Sequence, residues 1–181
     1  YKDHSLLYQY EYDAFGNRIS QYDGKKSVRD HYEYNVCNQL IKCENEVCQY
    51  DGRGNMVNIL RDNKVLNTYR YDAANRLVQA VSADDRNVRY LYNGLGNRVG
   101  SNEYSGNTEQ PAKVVEDLLD LTKRFHNLLA RTVTSGQQSI RQEYSWDTNV
   151  VAMKEEGQSY LYLQDELGSP VRLLNFQAKT Q

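Results

Sequence analysis

The 181-residue sequence has no long apolar run, no excess of positive charge, no catalytic signature and only three cysteines. Each absence removes a class of function. No stretch approaches the roughly 20 apolar residues of a membrane-spanning helix. Mean hydropathy is −0.83, so aliphatic side chains alone cannot supply a large core. The 22 basic and 24 acidic residues give a formal net charge of −2. That leaves no basic surplus to displace counterions, which argues against a nucleic-acid binder. There is no nucleophile elbow, phosphate-binding loop or Cys-x-x-Cys pair. His4, His31 and His126 are scattered and read as surface or packing residues. Cys37, Cys43 and Cys48 match no common zinc spacing. Cys43 and Cys48 flank Glu44-Asn45-Glu46-Val47, a candidate short hairpin, where they either face one another as a disulfide or act as small apolar fillers. No signal peptide is visible. The chain starts at Tyr1 rather than Met and ends at Gln181 just after an apolar run, so it is expected to be a piece of a longer polypeptide.

What the sequence has in quantity is tyrosine, 16 residues of it, and repetition. Tyr12-Asp13-Ala14-Phe15-Gly16-Asn17-Arg18-Ile19 recurs as Tyr34-Asn35-Val36-Cys37-Asn38-Gln39-Leu40-Ile41 and as Tyr50-Asp51-Gly52-Arg53-Gly54-Asn55-Met56-Val57. It recurs again as Tyr71-Asp72-Ala73-Ala74-Asn75-Arg76-Leu77-Val78 and as Tyr92-Asn93-Gly94-Leu95-Gly96-Asn97-Arg98-Val99. The acidic or amide position returns at intervals of 22, 16, 21 and 21 residues. A fixed period of this size marks a repeat architecture. A further Tyr precedes most copies by two residues: Tyr10, Tyr32, Tyr69 and Tyr90, with Cys48 in the remaining place.

Each position has a physical reason. Two tyrosines at i and i+2 share one face of a strand, and the polar residues between them suit a wet opposite face. Asp13, Asn35, Asp51, Asp72 and Asn93 can each accept the backbone N–H two residues on, an Asx turn. Gly or Asn follows three residues later, the types that tolerate positive φ. Ile or Val comes three residues after that and suits a returning strand. Each unit therefore predicts strand, tight turn, strand, with neighbouring units stacking Tyr on Tyr and Val on Ile to share a core. A calcium ladder on the Asp positions is disfavoured, because Asn replaces Asp twice and calcium favours more charged oxygen ligands. The regular recurrence of the Tyr pairs fits a structural ladder better than a sugar-stacking platform.

The expected organisation is five hairpin repeats over residues 1–104, a loop over 105–113, degenerate repeats over 114–159 and a final unit over 160–181. Tyr1 to Leu7 reads as the tail of an earlier unit. Val114, Leu118, Leu121, Phe125, Leu128 and Leu129 fall on one helical face, so periodicity alone predicts an amphipathic helix over 114–129. The competing reading is two strands with a turn near His126-Asn127. Tyr144-Ser145-Trp146-Asp147 opens a worn repeat whose Gly/Asn position is Val150. In the last unit Asp165, Gly168 and Val171 keep the spacing of Asp13, Gly16 and Ile19. Asp165 reads as the turn residue; with Glu166 it is no carboxylate pair, since adjacent strand residues point to opposite faces.

The repeated Tyr-Asp-x-x-Gly-Asn-Arg-hydrophobic string resembles the Rhs, or YD-repeat, family: bacterial polymorphic-toxin shells, wall-associated proteins, insecticidal toxin-complex shells and animal teneurins. Asp165-Glu166-Leu167-Gly168-Ser169-Pro170-Val171-Arg172 resembles the opening of the Rhs-associated core. Asp120-Leu121-Thr122-Lys123 and His126-Asn127-Leu128-Leu129 resemble the stretch that precedes it. The resemblance implies an all-β fold of repetitive β-hairpins in a spiralling shell or solenoid, with residues 114–129 as strand. It implies an exported bacterial protein, secreted or at the cell surface. The implied role is a non-catalytic wall around a C-terminal toxin or cargo of the same polypeptide, with flanking repeats as the other partners. The alternative is a repeat module that binds cell-surface glycans or a receptor. The acidic residues with which family members cut themselves lie downstream of the Asp-x-x-Gly-Ser-Pro string. They have no counterpart here, so no catalytic, cofactor-binding or metal-binding residue is assigned.

Overall fold

A computed structural model describes residues 7–106 and 108–176. The expected earlier-unit tail over residues 1–6, and the last residues of the 160–181 unit, lie outside the described residues. Every regular element is a β-strand. The chain divides into two compact units, Tyr1–Asp84 and Asp85–Gln181.

The first unit contains β1 (Tyr8–Tyr12), β2 (Arg18–Asp23), β3 (Val28–Tyr34), β4 (Leu40–Cys43), β5 (Glu46–Tyr50), β6 (Met56–Arg61), β7 (Lys64–Tyr71) and β8 (Leu77–Ser82). The second contains β9 (Arg86–Tyr92), β10 (Arg98–Ser105), β11 (Lys113–Asp120), β12 (Asn127–Ser135), β13 (Gln138–Trp146), β14 (Val150–Glu155), β15 (Gln158–Gln164) and β16 (Pro170–Phe176). Within each unit every strand pairs antiparallel with the next, so each sheet is a run of hairpins in sequence order. Among the described residues, only Cys48, Tyr104, Ala130 and Met153 are buried hydrophobics. Among the described residues, each unit taken by itself is one sheet with few side chains buried on either face.

The register places the tyrosines on one face. Cross-strand partners share a face. Following the partners Tyr10–Gln21–Asp30 and Tyr32–Cys43–Glu46 puts Tyr8, Tyr10, Tyr12, Tyr32, Tyr34, Cys48 and Tyr50 on the same side of the first unit. The ladder is mixed rather than Tyr on Tyr. Arg18 lies 5.9 Å from the Tyr10 ring centroid and 4.5 Å from that of Tyr32, a cation sandwiched between aromatic faces.

The Ile/Val position has a role that the strand reading misses. Glu11 pairs with Ser20 and Tyr12 with Arg18, so Ile19 is left over as the extra residue of a β-bulge. Ile41, Val57, Val78 and Val99 are left over in the same way, as are Leu129, Val151 and Val171 in the worn units. These residues therefore mark the kink of each hairpin rather than a continuous Val-on-Ile ladder.

The bulge also ends the pairing between hairpins. β2 and β3 pair only as far as Ser20–His31, the residue next to the bulge, so the Arg18 carbonyl has no ladder partner on that side. The Tyr34 hydroxyl donates to it at 3.1 Å. At the same place in later hairpins Tyr50 donates to the Leu40 carbonyl (2.8 Å), Trp146 Nε1 to that of Leu128 (2.7 Å) and Gln164 Nε2 to that of Val150 (2.5 Å). Unsatisfied carbonyls are costly, and a donor from the following hairpin meets each of these. The position just beyond the bulge holds a small residue at Ser20, Gly100, Ala130 and Ala152, and a larger polar one at Lys42, Asn58, Gln79 and Arg172. Ser20 and Ala130 are buried, and a Cβ on Gly100 would collide with the Val115 carbonyl oxygen.

Residues 114–129 are not helical. They form β11, a turn and β12, with the turn over residues 121–126. Val115, Asp117 and Leu119 face Val133, Arg131 and Leu128 across the pair. The Asp117 carboxylate takes both Arg131 Nε (2.7 Å) and Nη2 (3.0 Å). β11 is paired on both sides, with β10 and β12, and that pairing overrides a local 3.6-residue periodicity. Leu121 and Phe125, assigned by that periodicity to a buried face, are exposed at the hairpin tip. Register also separates the cysteines: Cys43 stands opposite Glu46, and all three thiols are free.

Two outcomes follow for chemical denaturation of the chain. Tyr34→Phe leaves the Arg18 carbonyl without its donor and is expected to cost about 1 kcal/mol, whereas Tyr10→Phe leaves the urea midpoint unchanged. Gly100→Ala forces β10 away from β11 and is expected to cost about 1–3 kcal/mol.

Candidate functional site

The densest concentration of specific polar geometry lies at the hairpin tips. In six turns the same bonds recur. Asp13 N donates to the Asn17 carbonyl and Gly16 N to the Asp13 carbonyl; Asn35, Asp51, Asp72, Asn93 and Asp165 repeat both. The side chain then closes the turn from inside. Asp13 Oδ1 accepts Phe15 N (2.9 Å) and Asn17 N (2.8 Å). Asn35, Asp51, Asp72, Asn93 and Asp165 accept the N–H groups two and four residues on in the same manner. The residue three on has φ of +83° at Gly16, +56° at Asn38 and +59° at Asn75, the left-handed geometry that restricts it to Gly or Asn.

The position four residues on carries a signal that reading the pattern as free there misses. Asn17 Nδ2 donates back to Asp13 Oδ2 (2.9 Å) and forward to Asn38 Oδ1 of the next turn (3.1 Å). Asn55 does the same with Asp51 Oδ2 (3.0 Å) and Asn75 Oδ1 (3.0 Å). Gln39 Nε2 reaches the Gly54 carbonyl at 3.1 Å, and Arg53 reaches those of Asp72 and Ala73. Turns one to four of the first unit are thus linked side by side, mostly by side-chain amides. The preference for Asn after Gly in the repeated string carries that signal.

These carboxylates are aimed at N–H donors. The Asn17 amide is foremost in holding the Asp13 carboxyl below its ordinary value, and the Asn55 amide does the same for Asp51. The backbone N–H of Arg76 is foremost for Asp72, and the Thr122 hydroxyl for Asp120. A metal at these turns would have to displace backbone N–H groups from Oδ1. Among the described residues no group of three or more His, Cys, Asp and Glu side chains is placed to hold a metal ion. Asp165 sits in its turn as expected, its Oδ1 accepting Leu167 N and Ser169 N. His31 lies by Glu44, Nδ1 to Oε1 3.4 Å, with both side chains exposed. Asp147 opens a shorter loop, its N–H donating to the Asn149 carbonyl, and Val150 is already in β14. The worn repeat therefore lacks a Gly/Asn position altogether.

The tips are apolar where the turn does not require it. Phe15 is 80 % exposed, Leu95 76 % and Leu167 90 %. Arg53 and Ala74 fill the same position in other copies, so no internal contact selects an apolar residue there.

The fold and its turns define a class: an all-β module of bulged hairpins repeated in tandem, with an Asx-closed turn at one end of each. The model of the teneurin YD-shell family matches residues 1–180, and the chain belongs to that family. It is 26 % identical over 176 residues to the tRNA3(Ser)-specific nuclease WapA of Bacillus spizizenii, a match covering 95 % of this chain and 7 % of the relative. It is 34 % identical over 95 residues to the tRNA nuclease WapA of Bacillus subtilis, covering 50 % and 4 %. A crystal structure of TcdB2-TccC3 superposes with a TM-score of 0.55 at 16 % identity, covering 93 % of this chain and 10 % of that one. The Photorhabdus luminescens Tc holotoxin pore gives 0.53, also at 16 % identity and with the same coverage. These two likenesses show the fold alone. The chain spans less than a tenth of the length of the curated relatives it matches.

Lowered carboxyls fix the sign of an acid dependence. Such a group stabilises the fold above its ordinary value of 3.8, and the contribution disappears as pH falls through the lowered value. The double variant Asp13→Asn/Asp51→Asn is expected to melt lower than the parent at neutral pH. Below about pH 4 the two melting curves should converge, read as Tm against pH.

Proposed function

We propose that this chain is a wall segment of an exported YD-repeat shell, secreted or at the bacterial cell surface. The shell encloses a toxic domain or other cargo C-terminal in the same polypeptide, and the segment does no chemistry itself. The observation that carries the reading is the single-layer sheet. A catalytic domain builds a core and seats its chemistry in a concavity above it. Here, repeated hairpins leave both faces open, and their side-chain bonds go to holding one hairpin to the next. Residues 160–181 are, in this reading, the start of the core segment that precedes the cargo. The nuclease activity named for the Bacillus relatives would belong to the enclosed region and not to repeats of this kind.

The test uses the full polypeptide that carries this chain. Intact mass under denaturing conditions and native size are measured in parallel, with protease digestion of the native material. Two covalent pieces that travel together, or one piece whose C-terminal region resists protease until the shell is melted, are the expected results. A single chain whose C-terminal region is digested as readily in the native state as after melting would overturn enclosure. It would move the assignment to the surface-exposed alternative, a glycan- or receptor-binding repeat module.

A further inference from the structure

The fifth turn differs from its siblings at two atoms, and the difference is chemical. Asn93 Oδ1 accepts Leu95 N (3.0 Å) and Asn97 N (3.0 Å), as in every copy. In the first and third turns the second carboxylate oxygen also accepts the amide of the Asn four residues on. Among the described residues no such bond joins Asn93 to Asn97, where Asn93 offers a neutral amide in place of the carboxylate of Asp13 and Asp51. Asn35 does have a partner at that place, Gln39 Oε1, which accepts Asn35 Nδ2 at 2.8 Å. The residue after Asn93 is Gly94, whose Cβ position has nothing within 4 Å, and whose N–H meets no acceptor among the described residues.

We infer that Asn93 is a self-modifying site, whose side-chain amide is converted to aspartate by attack of the Gly94 backbone nitrogen. A bond forms between Gly94 N and Asn93 Cγ, and the Gly94 amide proton passes to water. Negative charge develops on Oδ1, the atom already held by two backbone N–H donors, as in an oxyanion hole. The C–N bond to the side-chain nitrogen then breaks, and ammonia leaves with a proton from water. Water opens the resulting cyclic imide, restoring the backbone amide and leaving a carboxylate. Only the normal α-linkage reproduces the turn geometry of Asp13 and Asp51, since the β-linked product carries an extra backbone methylene. Aspartate in that place accepts the Asn97 amide and makes the bond that the unmodified turn lacks. The second turn supplies an internal control. Asn35 Oδ1 has the same two donors, but the next residue is Val36, whose branched side chain crowds the attacking nitrogen.

The experiment follows the full polypeptide at neutral pH over time, native and in denaturant, by peptide mass spectrometry with separation of the two linkage isomers. The expected result is conversion at position 93 in the native protein, at least as fast as in denaturant, with the normal linkage dominant and Asn35 unchanged. Gly94→Val, which reproduces the Asn-Val pair of the second turn, is expected to slow conversion to the rate seen at Asn35. Asn93→Asp is expected to raise the Tm at neutral pH. Conversion in denaturant with none in the native protein would overturn the inference and make the turn a protector of Asn93. Equal conversion at Asn35, or a lowered Tm for Asn93→Asp, would overturn it as well.

Discussion

One constraint organises each hairpin: the β-bulge one residue into the returning strand. The bulge kinks the hairpin, stops its pairing with the next one and leaves a carbonyl without a ladder partner. Much of what is distinctive in the repeat answers that disturbance. Tyr34 and Tyr50, each at the end of its strand, donate to that carbonyl, at Arg18 and Leu40. Trp146 and Gln164 take over in units whose sequence has drifted. They are chemically unlike tyrosine except in carrying a hydrogen-bond donor at the right height, and that likeness identifies the hydrogen bond as the property the repeat retains. The ring contributes separately, by covering one face of a sheet that has no second layer.

The turn is the less durable half of the unit. Its full geometry survives in six copies; the lengthened loop after Asp120 keeps only the bond from Thr122 N to Asp120 Oδ1, and the shortened loop after Trp146 closes differently. The bulge persists in both, at Val151 and Leu129. A turn only has to reverse the chain, which several loop lengths do. The bulge sets how two neighbouring hairpins meet, so removing it would shift the register of everything paired beyond it.

The same distinction separates what residues alone reveal from what they hide. The turn is legible because Asp or Asn, followed three residues later by Gly or Asn, combines an N–H acceptor with a left-handed backbone position, and few local structures need both. The all-β fold follows from counting copies of it. The bulge is not legible, since a valine that returns with a strand and a valine that interrupts one look alike in sequence. The Asn-to-next-turn bonds are legible in principle from Asn17 and Asn55, but Gln39 and Arg76 at that position blur the pattern. The strands over 113–135 mislead by periodicity because an isolated repeat has no knowledge of its neighbours. Leu118 looks helical only until β12 pairs with its strand, and Leu121 lies in the turn beyond that strand.

A sheet built this way has a consequence for how function is distributed along it. In a layered domain, most side chains are tied to a core, and a few loops are free to vary. Here the ties run between adjacent hairpins, through the carbonyl caps and the turn amides, and no layer lies above them. Phe15, Leu95 and Leu167 stand at the tips, outside both sets of ties. The turn accepts other residues there, since Ala74 takes the same place and Arg53 uses it to reach the next turn. The sheet's recurring geometry therefore resides in the seams between hairpins, where Ser20 and Ala130 are buried and the Val115 backbone closes in on Gly100. Its freedom resides in its faces and tips. A sheet tied hairpin to hairpin in this way, with its faces and tips left open, can extend by adding further hairpins.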